Sequence, residues 1–161
     1  MQAKEKINIR QILNEIADPE VPVLTINDLG IIRDVKHSDD GTIEVIITPT
    51  YTGCPAMDMI AMNIKLALIE NGYPNIKITS VLSPAWTTDW MSEAGKRKLK
   101  EYGIAPPQYS SDHSKWPDDL VPCPQCNSTN TKLISEFGST ACKALYQCND
   151  CKEPFDYFKC H

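Results

Sequence analysis

Four cysteines in the last quarter of the chain have the spacing of a metal site. They form two C-x-x-C pairs, Cys123 with Cys126 and Cys148 with Cys151. Each pair can wrap a turn so that both sulfurs face one ion, and two such turns held by strands give a tetrahedral four-thiolate site suited to zinc. Because four thiolates close the coordination shell, the spacing predicts a structural metal rather than a catalytic one. Iron in a rubredoxin-like site uses similar spacing and is the alternative.

Cys54 is the candidate for reactive thiol chemistry. It stands between Gly53 and Pro55, directly after a run that reads as a strand. Proline is favoured at the first helical position, so Pro55 predicts that Cys54 lies at or next to a helix N-cap. Backbone N–H groups and the helix dipole would favour the thiolate there, which attacks electrophiles and binds metals. We therefore predict a reactive thiol or a transient ligand of a metal or cluster; a small buried hydrophobe is the alternative.

Two cysteines remain, Cys142 and Cys160. A second metal or iron-sulfur site built from these two and Cys54 is an alternative, although their separation in the sequence gives it no geometric support. They either pack in the small core of the tail or add to the ligands of the two C-x-x-C pairs. In a reducing compartment, seven cysteines indicate metal ligands or reactive thiols rather than a disulfide framework.

The composition is that of a soluble globular protein. Of 161 residues, 42% are hydrophobic and 23% are charged, and the formal net charge is -5. An acidic balance argues against a protein that binds nucleic acid through phosphates, which needs clustered lysine and arginine. The apolar stretches are too short to cross a bilayer, and the first residues lack a signal-peptide core. We expect a cytoplasmic protein without membrane or nucleic-acid partners.

Hydrophobic periodicity predicts an α+β domain over residues 1–103, with a small three-stranded sheet and three helices. The order is helix, β-hairpin, helix, strand, helix, and each element ends at turn residues such as Asp39-Asp40-Gly41 or Asn71-Gly72. The predicted elements are a helix containing Ile9 to Ile16, strands Ile31 to Lys36 and Ile43 to Ile47, a helix Pro55 to Glu70, a strand Ile76 to Leu82, and a helix that ends at Tyr102 and has Thr87, Thr88 or Asp89 as its cap.

A proline- and serine-rich stretch, residues 104–121, reads as a linker to a zinc ribbon of residues 122–161. Three ribbon strands are predicted at Thr131 to Glu136, Ala144 to Tyr146 and Glu153 to Phe158. A domain of roughly 40 residues buries too little surface to fold alone, so the metal should supply much of its folding free energy.

Several blocks of the sequence resemble a known family. The first domain is similar to the SufT-like domain of metal-sulfur cluster assembly proteins, whose reactive cysteine corresponds to Cys54. The tail resembles the D-subunit (PaaD) family of the phenylacetyl-CoA epoxidase system. The blocks are Asp18-Pro19-Glu20, Asp28-Leu29-Gly30-Ile31, Thr48 to Pro55 and Ser83 to Trp90 in the first domain, and Phe137 to Tyr146 with Glu153 to Cys160 in the tail.

The resemblance implies a maturation factor of the epoxidase rather than a component that performs epoxidation. Its expected clients are the iron-sulfur flavoprotein reductase or the di-iron oxygenase, and its cargo an iron ion or iron-sulfur cluster supplied by the assembly machinery. The sequence fits, because it has no E-x-x-H pair for a di-iron site and no G-x-G-x-x-G motif. The alternatives are a zinc-dependent adaptor or structural subunit, and a thiol-dependent transferase or hydrolase. The sequence is also compatible with a homodimer.

Overall fold

The computed structural model describes residues 9–51, 53–107 and 121–158. The chain forms two compact units, one ending at Trp86 and the other beginning at Thr87. Within the described residues, no helix is long and apolar enough to span a membrane. The predicted α+β fold with a small three-stranded sheet, followed by a ribbon that carries four neighbouring cysteines, is confirmed.

The first unit begins with two short helices. Helix α1 covers residues 9–14 of the described chain, and α2 is the single turn Ile26–Leu29. The sequence prediction missed α2, although Thr25 and Asp28 form a capping box in which each side chain accepts a hydrogen bond of 3.1 Å from the other's backbone N–H. Gly30, with a left-handed φ of 72°, ends this turn.

A three-stranded sheet follows, with strand order β1-β2-β3. Strands β1 (Ile32–His37) and β2 (Ile43–Ile47) form the predicted antiparallel hairpin. Helix α3 (Ala56–Glu70) then crosses over to β3 (Ile76–Ser80), which pairs with β2 in parallel. This β2-α3-β3 crossover places the loop before α3 at the carboxyl end of two neighbouring strands, where α/β folds commonly bind ligands.

Helix α3 covers the sheet with one face. Its buried side chains include Ile60, Ile64 and Leu68, which recur every four residues and therefore lie on one side of the helix. The central strand β2 alternates in the same way, with its odd-numbered residues buried. The largest fully buried side chains of this unit are Ile9, Leu13, Leu24, Ile26, Ile31, Val45, Ile47, Ile60, Ile64 and Leu68.

This packing predicts opposite outcomes for two leucines of α3. Leu68→Ala should lower the free energy of unfolding by about 2–5 kcal/mol, because the fully buried side chain leaves a cavity. In dilute, monomeric protein, Leu66→Ala should change it by less than about 0.5 kcal/mol, because that side chain is 51% exposed. Urea denaturation followed by circular dichroism measures both. Equal losses for the two variants would contradict the assignment of the buried face.

The second unit is built on a four-stranded sheet of order β4-β7-β6-β5. Strand β4 pairs with β7 in parallel, and β6 pairs with both β5 and β7 in antiparallel. A buried cluster that includes Tyr146, Phe155 and Tyr157 fills its core. Its elements are a 3-10 turn Thr88–Trp90, helix α4 Glu93–Tyr102, and strands β4 Ile104–Ala105, β5 Thr131–Ser135, β6 Lys143–Cys148 and β7 Pro154–Phe158.

Two features of the second unit differ from the sequence prediction. The predicted linker of residues 104–121 begins with strand β4, and its residues 108–120 lie outside the described part of the chain. The third predicted helix starts later than expected, because Thr87 caps only the 3-10 turn and Ser92 caps α4 by accepting the Gly95 N–H at 2.9 Å. That one independently folding domain ends at residue 103 and another begins at residue 122 stays a prediction.

Candidate functional site

The four cysteines of the C-x-x-C pairs come together at one end of the ribbon. Their sulfurs all lie within 4.8 Å of one another. The distance is 3.7 Å between the sulfurs of Cys123 and Cys151 and 3.6 Å between those of Cys126 and Cys148. A tetrahedron of sulfurs about 2.3 Å from a central zinc has edges of about 3.8 Å. The donor set and its dimensions therefore fit one tetrahedrally bound ion of this kind.

The two turns that carry these cysteines repeat the same backbone pattern. In the first, the Cys123 N–H donates to the Ser128 carbonyl at 2.9 Å, and in the second the Cys148 N–H donates to the Glu153 carbonyl at 3.0 Å. In each turn a backbone N–H also approaches the first sulfur, from Gln125 at 3.4 Å and from Cys151 at 3.5 Å. Such N–H groups stabilise the negative charge that a metal-bound thiolate carries.

Two residues of these turns escaped the sequence prediction. Asn127 and Lys152 each follow the second cysteine of a pair and have left-handed φ angles of 61° and 69°. Glycine and, after it, asparagine adopt this conformation most readily, so the residue type pointed to it at Asn127 but not at Lys152. The Lys152 ammonium offsets part of the cost by donating to the Asn149 carbonyl at 2.6 Å. The sequence signal that could have identified both residues is their position directly after a C-x-x-C pair.

The turn environment separates the pKa values of two ligands. The Cys151 N–H, together with a further N–H at Asp150, lowers the pKa of Cys148 to about 7. At Cys151 the Glu153 N–H lowers the pKa, but desolvation and the neighbouring thiols outweigh it and raise the pKa to about 12. Several thiols this close cannot all ionise without a cation among them, and a divalent metal supplies that charge.

Asp150 ties the two turns together from outside the metal site. Its carboxylate accepts hydrogen bonds from the Ser128 hydroxyl and from the Asn130 side-chain amide, the latter at 3.0 Å. These two bonds lower the pKa of Asp150. The side-chain amide of Asn149 also donates to the Asn130 side-chain oxygen at 3.0 Å. The second turn is thus held against the chain that leaves the first.

We predict that Asp150→Ala will release the metal about tenfold faster to a competing chelator, because the turns lose their cross-link while all four ligands remain. A colour-forming chelator added to the metal-loaded protein measures the rate. Asp39→Ala is the matched control, since Asp39 is an exposed carboxylate in the first unit. Equal release rates for Asp150→Ala and wild type would show that the cross-link does not hold the site.

Cys54 lies in the loop between β2 and α3 and is partly buried. Its N–H donates to the Tyr51 carbonyl at 3.2 Å, and its carbonyl accepts from the Met57 N–H at 3.2 Å, so the backbone is fixed on both sides. The sulfur is 3.9 Å from the Thr50 hydroxyl, a long contact. The backbone of Cys54 is therefore fixed, while the residue as a whole is only partly buried.

Pro55 is the N-cap of α3, and the helix begins at Ala56. Cys54 is therefore next to the N-cap, one residue before it. Pro55 was predicted to be the first helical residue, but the first helical residue is Ala56. Among the described residues, the sulfur's hydrogen-bonding contact is the Thr50 hydroxyl rather than an N–H of the first helical turn. The chemical role of Cys54 stays a prediction.

The other two cysteines are placed differently. Cys142 is buried, and its sulfur lies 2.9 Å from the Thr140 hydroxyl. It does not belong to the group of four sulfurs that lie within 4.8 Å of one another in the described chain. Cys160 lies outside the described residues, so its suggested part in the site also stays a prediction.

Fold and site together define a class of protein in which an α+β domain precedes a ribbon that carries four metal-binding cysteines. The profile of the family described as "Iron-sulfur cluster assembly protein" matches residues 6–81. The profile described as "PaaD zinc beta ribbon domain" matches residues 107–159. A crystal structure titled as a domain of unknown function, DUF59, from Bacillus anthracis is similar with a TM-score of 0.54 at 27% identity, covering 58% of this chain and 89% of that one.

Sequence relatives identify the family more closely. The chain is 52% identical over 149 residues to the D subunit of the putative 1,2-phenylacetyl-CoA epoxidase of Escherichia coli K12, and the match covers 92% of this chain and 89% of that protein. It is 36% identical over 102 residues to the Fe-S protein maturation auxiliary factor YitW of Bacillus subtilis, covering 62% and 97%. The chain belongs to the epoxidase D-subunit (PaaD) family, with a SufT-like first domain, as predicted.

Proposed function

We propose that the protein is a maturation factor of the phenylacetyl-CoA epoxidase and assists the insertion of an iron-sulfur cluster, or of iron, into the reductase or the oxygenase component. The observation that carries the proposal is the joining of two parts in one chain. One part resembles Fe-S protein maturation auxiliary factors, and the whole chain resembles an epoxidase D subunit. Such a chain connects general cluster assembly to one particular client.

Cys54 is the residue we assign to the cargo. This partly buried residue lies at the carboxyl end of two parallel strands, within a loop fixed by backbone hydrogen bonds. On binding iron, the thiol loses its proton and the sulfur forms one bond to the metal. One sulfur supplies one ligand, so the remaining ligands come from the donor or the client. This suits a transient carrier better than a permanent holder.

The four-cysteine group would hold a resident zinc ion, for which Cys123, Cys126, Cys148 and Cys151 supply all four ligands. When bound, this zinc supplies folding free energy rather than reactivity, since no coordination position is left open. The chain's own residues do the rest. They fix the two turns, and they present the ribbon surface to a client.

An adaptor without a cargo is the second candidate, favoured by the ribbon surface. Three large apolar side chains, Leu133, Ile134 and Phe137, are 49–65% exposed on β5 and just beyond it. Exposed apolar side chains grouped in this way commonly mark a contact with another protein. In this alternative the ribbon binds a component of the epoxidase and Cys54 has only a structural role.

The test is to produce the epoxidase reductase in cells with and without this protein and to measure iron and acid-labile sulfide per purified reductase. We expect a clear deficit of both without the protein. The same measurement on the oxygenase component, for iron alone, identifies the client. Full cofactor content of both components in the absence of the protein would refute the maturation role and leave the adaptor.

A further inference from the structure

Helix α3 has a second apolar face, opposite the one that covers the sheet. This stripe consists of Met59, Met62, Leu66 and Ile69, each 51–59% exposed. At 100° per residue, the centre of the stripe lies about 180° from the centre of the buried side chains Ile60, Ile64 and Leu68. Soluble monomers seldom expose a contiguous apolar row of this kind, which is why such rows mark contacts with other proteins.

The spacing of the stripe is that of a coiled-coil seam. The intervals of three, four and three residues place Met59 and Leu66 at heptad positions a, and Met62 and Ile69 at positions d. The buried face then occupies the outer positions b, c and f, so the two faces do not compete. Because the sheet already orders α3, pairing through the stripe would cost no helix formation.

We infer that the stripe binds α3 of a second copy of this chain, with the two helices parallel. The charged residues that flank the stripe favour this parallel arrangement. Lys65 falls at position g and Glu70 at position e, and parallel seams bring each g residue next to the e residue five positions later on the other helix. A symmetric pair therefore forms two contacts between Lys65 of one copy and Glu70 of the other.

The other flanking residues agree with the parallel arrangement. The same rule places Asp58, at position g, near Asn63 of the second copy, so no like charges meet. In the antiparallel arrangement, each g position faces a g position of the other copy, and each e position faces an e position of the other copy. With the stripes centred on each other, the two Lys65 ammonium groups would then face one another, which is unfavourable. Charge complementarity thus selects a parallel, two-fold symmetric pair.

Parallel pairing has a consequence for Cys54. Both α3 helices would begin at the same end of the pair, with axes about 8–10 Å apart. The two thiols, each two residues before Ala56, would then lie at one end of the dimer. Any joint action of the two sulfurs rests on the proposed function, but the dimer itself does not.

Sedimentation velocity of the full-length, metal-loaded protein over a concentration series tests the inference without any client. We expect wild type to dimerise reversibly and Leu66→Glu to weaken the dimer at least tenfold. Leu82→Glu is the matched control, because Leu82 is 60% exposed in the same unit but lies outside α3. It should dimerise like wild type, and circular dichroism should show all three proteins folded.

A charge exchange tests the parallel register. Lys65→Glu and Glu70→Lys should each weaken the dimer, because each puts like charges together, and the double variant should restore it. A wild type that stays monomeric at every concentration would overturn the proposal, and so would a dimer unaffected by Leu66→Glu or not restored in the double variant. If wild type is monomeric and Leu66→Glu instead abolishes binding of an epoxidase component, the stripe belongs to that partner and the inference is wrong.

Discussion

Cys126→Ser is expected to lose the metal and to unfold most of the ribbon. A serine hydroxyl does not replace a thiolate, so the ion keeps three protein ligands, and the site no longer closes around it. Bound zinc contributes about 10–16 kcal/mol in small zinc domains, whereas whole domains are stable by about 5–15 kcal/mol. The small core around Tyr146 cannot make up for the loss of even part of this free energy. The measurements are metal per chain by native mass spectrometry and hydrogen exchange of strands β5 to β7.

Cys142→Ala provides the matched control within the same unit. Cys142 is buried but lies outside the four-sulfur group, so its loss should remove a small amount of packing and leave one metal per chain. Strands β5 to β7 should keep their protection in this variant. A Cys126→Ser protein that retains stoichiometric metal and slow exchange in these strands would contradict the proposed ligand set. Metal loss from Cys142→Ala would mean that the ligand set is larger than four.

Local patterns were sufficient to predict most of the elements. The β1-β2 hairpin and α3 were predicted because alternating and four-residue patterns of buried side chains are written directly in the sequence. Strand β4 could not be found in this way. It is only two residues long, and it exists because Asp156 and Tyr157, some fifty residues later, supply its pairing partners. The helix turn α2 is a different case, since its Thr25–Asp28 capping box was present in the sequence and was overlooked.

For the site, spacing predicted which cysteines meet but not how their turns are supported. Two C-x-x-C pairs can come together around one ion through local turn geometry alone. The cross-link through Asp150 depends on residues about twenty positions away, Ser128 and Asn130, whose approach follows only from the folded sheet. At Cys54, proline chemistry gave the helix start to within one residue. The contact of its sulfur with Thr50 depends on loop geometry that no local pattern describes.

Cys54→Ala is expected to remove most of the protein's effect on cluster content while leaving its fold and its ribbon metal unchanged. Cys54 is only partly buried, and its sulfur makes one long hydrogen-bonding contact in the described structure, so its loss should lower the free energy of unfolding only slightly. An alanine methyl group cannot replace the sulfur as a ligand of the cargo. Co-production of the reductase with this variant, followed by iron and sulfide analysis, should give values close to those obtained without the protein.

Comparison with Thr50→Val separates the sulfur's chemistry from its surroundings. Removing the Thr50 hydroxyl leaves the thiol intact but deletes its hydroxyl contact, so cluster content should fall only partly. Cluster content distinguishes the two proposed functions, because in both of them Cys54→Ala should still bind the client through the ribbon and Cys126→Ser should not. Full cluster content with Cys54→Ala would exclude the carrier role. If Cys126→Ser then also abolished client binding, the protein would act as an adaptor, because its effect would depend on the ribbon alone.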